Sequence, residues 1–168
     1  MKPLVSIIMG STSDLSVVEK AAQILNGFRI PFEINALSAH RTPEEVEKFA
    51  KGAAVRGIKV IIAAAGMAAH LPGVIASMTP LPVIGVPVNT SLEGLDSILS
   101  ILQMPPGIPV ATVGVNAAQN AAILAAQIIG TGDEKILKEV INYKQSLKKK
   151  IVESNKELKA VKFKYKTN

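Results

Sequence analysis

The sequence predicts an α/β domain in which a five-stranded parallel sheet lies between two layers of helices. Three observations carry this. Short apolar runs rich in β-branched residues alternate with stretches of helical spacing. The links between them are short, as in strand–helix–strand units. The third run, Val60 to Ala65, is apolar throughout, which is the pattern of a strand covered on both faces.

The elements follow in order. Leu4 to Met9 reads as the first strand, ending at Gly10. Leu15 to Gly27 is a helix, with apolar residues at Val17, Val18, Ala21, Ala22, Ile24 and Leu25 and a glycine stop. Phe32 to Leu37 is the second strand. Pro43 to Arg56 is a helix closed by Gly57. After the third strand come Leu81 to Val86 and Pro109 to Val113 as the fourth and fifth. Ala117 to Ile129 is an Ala-rich helix, and Asp133 to about Lys159 a long charged one. The whole reads as a three-layer αβα sandwich, flavodoxin-like or Rossmann-like. Residues 1–158 form one domain that includes the C-terminal helix, and 159–168 a basic tail.

The helix from Ala117 to Ile129 is apolar nearly all round, so it needs cover on more than one side. In a domain this small, a subunit interface is the expected cover, and a homo-oligomer follows.

Charge and composition exclude several classes. Residues 133–168 hold 11 Lys against 5 Asp or Glu, a net of +6. Residues 1–132 hold 8 Lys or Arg against 8 Asp or Glu, a net of zero. The basicity therefore belongs to the last helix and tail, where it reads as a solvated face. Aromatics make up 4% of the chain, too few for a base-stacking platform, so no nucleic acid is expected. There are no cysteines, hence no disulfides or thiolate metal sites. Two histidines offer too few ligands for a metal. The N-terminal apolar run is too short for a signal-peptide core, and no apolar stretch reaches membrane-spanning length. A cytoplasmic protein without membrane contact is expected.

In an open parallel sheet, ligands bind beyond the carboxyl ends of the strands. Three segments fall there. Gly10-Ser11-Thr12-Ser13-Asp14 opens the first helix, where backbone N–H groups favour an anion. Asp14 suits a ribose hydroxyl better than a phosphate, and helix capping by Ser or Asp is the plain alternative. Ser38-Ala39-His40-Arg41-Thr42-Pro43-Glu44-Glu45 follows the second strand. Thr42 as N-cap, Pro43 as first helical residue and Glu45 as capping-box partner have structural work. His40 and Arg41 do not. Histidine suits acid–base transfer and arginine suits phosphate or carboxylate, although a surface histidine is the common outcome. Ala64-Ala65-Gly66-Met67-Ala68-Ala69-His70-Leu71-Pro72-Gly73 follows the third strand. Its small residues allow close backbone approach to a flat ligand; a tight packing turn is the alternative.

Taken together and in this order, these segments resemble the phosphoribosylaminoimidazole carboxylase catalytic-subunit family. Its pattern runs Met-Gly-Ser-x-Ser-Asp, Ser-Ala-His-Arg-Thr-Pro and a Gly-Ala turn ending Ala-Ala-His-Leu-Pro-Gly. The match continues through Val86-Pro87-Val88, Gly94-Leu95-Asp96-Ser97 and Gln103-Met104-Pro105-Pro106-Gly107-Ile108-Pro109-Val110. The resemblance implies a mutase form, an isomerase that turns N5-carboxyaminoimidazole ribonucleotide into 4-carboxy-5-aminoimidazole ribonucleotide in purine (IMP) biosynthesis. The alternative form carboxylates aminoimidazole ribonucleotide directly with CO2, and its members tend to carry Lys after the histidine. A flavodoxin-like nucleotide-binding module is the non-enzyme alternative.

The resemblance also implies roles. His40 is the acid–base catalyst, Arg41 holds the phosphate, and Ser11, Ser13 and Asp14 bind the ribonucleotide. Ser38 and Ala39 lie against the substrate, and Gly66, Ala69, His70 and Leu71 close over the imidazole and its carboxylate. No cofactor or metal is implied. A homo-octamer and a separate ATP-dependent N5-carboxylating synthetase are. Two departures stand out: bacterial members usually have Gly where this chain has Met67, so its side chain must point away from the ligand or the loop must differ, and the segment Val88-Asn89-Thr90-Ser91-Leu92-Glu93-Gly94 is slightly shorter than in many of them.

Overall fold

A computed structural model describes all 168 residues. Five parallel strands run β1 (Val5–Met9), β2 (Phe32–Ala36), β3 (Val60–Gly66), β4 (Val83–Val88) and β5 (Ala111–Thr112). Six helices alternate with them: α1 (Leu15–Gly27), α2 (Pro43–Ala53), α3 (Leu71–Met78), α4 (Leu95–Leu102), α5 (Ala118–Gly130) and α6 (Glu134–Ala160). Short 3-10 turns at Thr12–Asp14 and Leu92–Gly94 lead into α1 and α4. The sheet order is β2-β1-β3-β4-β5, the flavodoxin-like arrangement. Ile7 stands beside Ile34 on one side and Ile62 on the other, so β1 is central to the half of the sheet that matters here.

Strand parity sorts the core into two layers. Val5, Ile7, Met9, Val60, Ile62 and Ala64 face α1, α5 and α6. Ile8, Ile61, Ala63 and Ala65 face the layer of α2, α3 and α4. Gly85 in β4 is glycine because an added Cβ would lie 2.3 Å from Ile101 Cγ2 of α4.

The apolar helix α5 is covered within the chain. Ala118, Ala121, Ala122, Ala125 and Ala126 are fully buried, with α1 and α6 on its flanks and β3 and β4 beneath. Its alanines let these neighbours approach closely, while Ile123, Leu124, Ile128 and Ile129 on the same helix stay half-buried. The most exposed apolar surface lies elsewhere. Leu92, Leu95, Leu99 and Leu102 form an exposed stripe at helical spacing along the turn before α4 and α4 itself. Beyond Tyr143, α6 leaves the body of the domain, and Leu147, Ile151 and Leu158 on it are exposed.

Element boundaries depart from the expected ones where local chemistry is ambiguous. β4 starts at Val83, because Pro82 has no N–H to give to the ladder. β5 shrinks to two residues at the sheet edge. Helix α3 begins in Leu71-Pro72-Gly73, which reads locally as a turn. No helix is long and apolar enough to cross a membrane.

Candidate active site

The loops after β1, β2 and β3 meet over the carboxyl end of β1. This is the point where the chain order reverses in the sheet, so the helices on either side of it splay and leave a crevice. The result is a cavity of about 560 Å3, a size that suits a mononucleotide.

The first wall is Gly10 to Asp14. Ser11 accepts from the Ser13 N–H at 3.3 Å and so caps the 3-10 turn. Asp14 stands at the N-cap position of α1 but makes no capping bond there. Its carboxylate is buried and takes one hydrogen bond, from the Ser13 hydroxyl at 3.3 Å. Capping therefore does not explain Asp14. Burial pushes its carboxyl above the ordinary 3.8, while the Ser13 hydroxyl and the Arg41 charge pull it partly back. A buried carboxylate with spare acceptor capacity is suited to a hydroxyl donor such as a ribose.

The second wall is Ser38 to Arg41, and here one expectation needs correction. Thr42 does sit at the N-cap of α2, with Pro43 following, but its hydroxyl makes no capping bond. It turns back instead, accepting from the Ser38 N–H at 2.9 Å and giving to the Ser38 carbonyl at 3.1 Å. The capping box with Glu45 is not formed, because the hydroxyl is used in closing the loop. Arg41 is tethered too. Its Nη2 gives to the Gly10 carbonyl at 2.7 Å and its Nε to the Ser38 hydroxyl at 3.2 Å. The guanidinium thus bridges the first two loops and keeps donors at Nη1 for an anion.

The third wall is the turn after β3. Gly66 is a tight position: a Cβ there would lie 2.6 Å from Thr90 Oγ1. That hydroxyl accepts from the Met67 N–H at 3.1 Å. Ala69 and Leu71 are buried in the α2–α4 layer and form the floor beside His70. Across the cavity, His40 Nε2 and His70 Nδ1 are 2.7 Å apart, with ring planes at 88°. Such a bond needs one proton between two nitrogens: one ring gives, the other accepts.

Every residue singled out in the sequence lines this cavity: Ser11, Ser13, Asp14 on one side, Ser38, Ala39, His40, Arg41 on the next, and Gly66, Ala69, His70, Leu71 on the third. Two contributors were missed. Thr90 follows β4, a fourth strand end that the same rule would have found. The His40–His70 contact has no local signal, since the two lie 30 positions apart. No Phe or Tyr lines the cavity, so the stacking platform of a flavin site is lacking. No group of three or more His, Asp or Glu is placed to hold a metal ion.

The family model described as AIR carboxylase matches residues 4–150. The chain belongs to the AIR carboxylase family. Among relatives within and around the AIR carboxylases, it is 57% identical to the N5-carboxyaminoimidazole ribonucleotide mutase of Pyrococcus horikoshii, over 94% of this chain and 89% of that one. It is 52% identical to the phosphoribosylaminoimidazole carboxylase of Schizosaccharomyces pombe, over 95% of this chain but 29% of that longer protein. The crystal structure of Treponema denticola PurE superposes with a TM-score of 0.85 at 38% identity, over 94% of this chain and 99% of that one.

Proposed function

We propose that this protein is an isomerase of purine biosynthesis that converts N5-carboxyaminoimidazole ribonucleotide to 4-carboxy-5-aminoimidazole ribonucleotide. The carrying observation is the His40–His70 pair in a cavity otherwise lined by hydroxyls, small residues, two larger apolar side chains (Met67 and Leu71), one arginine and one buried carboxylate. Relatives named as this mutase over nearly the full chain support the reading. So does Arg41, which follows His40 where the directly carboxylating form tends to carry Lys.

The chemistry follows from the site. His40 gives a proton to the exocyclic nitrogen as its bond to the carboxyl carbon breaks, leaving CO2 and a neutral aminoimidazole. The ring carbon 4 attacks that CO2, which has not left the cavity, so the step is effectively unimolecular. Carbon 4 then bears a hydrogen and the new carboxylate. His40 takes that hydrogen as a proton and the ring regains aromaticity. One proton is lent and returned, and no redox or cofactor step is required. His70 positions the His40 ring and shares its proton. Arg41 and the N–H groups of the first loop hold the phosphate, with Asp14 on the ribose.

The carboxylated substrate is supplied by a separate ATP-dependent synthetase in the cytoplasm. The working form is a homo-oligomer, an octamer by family likeness, with the exposed α4 leucine stripe covered by a second copy. That stripe begins at Leu92, two residues after Thr90 in the cavity wall, so the interface adjoins the site.

The deciding experiment supplies the purified protein with N5-carboxyaminoimidazole ribonucleotide, and separately with aminoimidazole ribonucleotide and bicarbonate. Turnover in the first arm at low bicarbonate supports the mutase. Turnover only in the second replaces it with the direct carboxylase.

A further inference from the structure

Met67 is an anomaly in the wall of the site. Its φ is +54°, in the left-handed region that an unbranched side chain rarely adopts and glycine adopts freely. The turn cannot relax around it. The Met67 N–H is bonded to Thr90 Oγ1, and the Ala69 N–H to the Gly66 carbonyl at 3.0 Å. Ala69, also left-handed at +42°, is only 4% exposed. With both flanks pinned, Met67 stays in the cavity wall, 61% exposed at the mouth. The other large apolar residue of the cavity wall, Leu71, is buried. Met67 is therefore the one sizeable apolar side chain at the rim.

Strained backbone at a functional loop asks for a compensating role. We propose that Met67 is a retention residue: its apolar side chain at the cavity mouth shields the released CO2 from water and from exchange with bulk. This rests on the proposed mutase reaction, in which CO2 is free between bond cleavage and capture by carbon 4. Carbon dioxide is small and apolar and is lost by diffusion or hydration. A thioether side chain at the rim excludes water and offers no donor and only a weak acceptor to the substrate. Residues Gly10, Ala39 and Ala68 elsewhere in the wall are too small to do this. Its role is on the fate of the intermediate, not on the barrier to forming it.

The test follows the carboxyl carbon. The full-length protein converts substrate labelled with 13C in its N5-carboxylate, in buffer containing unlabelled bicarbonate. The fraction of label retained in the product is measured by mass spectrometry, alongside the ratio of aminoimidazole ribonucleotide released to product formed. Met67→Gly is expected to raise escape several-fold, and Met67→Leu, which restores an apolar side chain of similar size, to stay within about twofold of the parent. Oligomer mass is measured for each. Label retention in Met67→Gly equal to the parent, with turnover intact, overturns the proposal while leaving the mutase reading standing. Increased escape accompanied by a changed oligomer mass also overturns it, because Met67 would then serve packing between copies. A parent protein that does not turn over the labelled substrate removes the mutase reading and this proposal together.

Discussion

Replacing His70 by Asn tests the geometry of the site most directly. The side chain remains polar and short, and His70 sits at the N-cap position of α3 without a side-chain cap bond, so the helix start is not disturbed. What is lost is the 2.7 Å bond to His40 Nε2. A hydrogen bond to a group that is charged for part of the cycle contributes about 1.5–3 kcal/mol, so kcat should fall about 10- to 100-fold. Removing the proton carrier itself, His40→Asn, should cost more, about 100- to 10,000-fold. The two act as a unit, so the double variant should be no slower than His40→Asn alone. Turnover is followed by chromatography of the product nucleotide, with the fold checked by circular dichroism and substrate affinity by calorimetry. His70→Asn at the parent's kcat would show that the contact has no catalytic consequence. Independent, additive losses would refute the shared-proton arrangement, and a folded His40→Asn with parental turnover would remove the mechanism.

Three further expectations concern the same walls. Burial raises the Asp14 carboxyl, so the folded state holds that proton more tightly than the unfolded chain does. Its contribution favours the fold below the ordinary carboxylate range and is lost as pH rises through the raised value. Asp14→Asn should therefore melt at a higher temperature than the parent at pH 7, with the gap closing towards about pH 3, while substrate affinity falls about 10- to 100-fold. Gly66→Ala places a Cβ 2.6 Å from Thr90 Oγ1 and should destabilise by about 1–3 kcal/mol in chemical denaturation, with Thr90→Ser in the same chain restoring part of the loss by removing the methyl group. Leu99→Asp puts a charge in the exposed α4 stripe, which should lower the assembly mass in analytical ultracentrifugation and leave the secondary structure of the monomer intact.

The fold was legible because its elements are locally consistent. The continuous apolar run of β3 and the helical apolar spacing of α1 each encode one answer, and α1 runs from Leu15 to Gly27 as its spacing predicts. Helices α3 and α4 were not legible. Each is eight residues long, one opening on Pro72 and Gly73 and the other following the left-handed Gly94, and their helicity comes from packing on β3 and β4. The apolar circumference of α5 was read correctly as a need for cover. Whether that cover comes from α1 and α6 or from a second subunit is a question of where other helices lie, which no property of α5 answers.

The site divides the same way. The sequence by itself determined that polar loops follow three apolar strands, and that His40, Arg41 and Asp14 stand in them, because strand direction and ligand side are linked in any parallel sheet. Only the tertiary structure decided what those residues do to one another. β1 lies between β2 and β3, so the loops carrying His40 and His70 converge above its end and set two nitrogens 2.7 Å apart. The same convergence turns Thr42 from a helix cap into a loop clasp and ties Arg41 to Gly10. It also forces Met67 into a backbone state that its own chemistry disfavours. Local spacing encodes which residues are presented; the order of strands in the sheet sets the distances between them, and proton transfer depends on those distances.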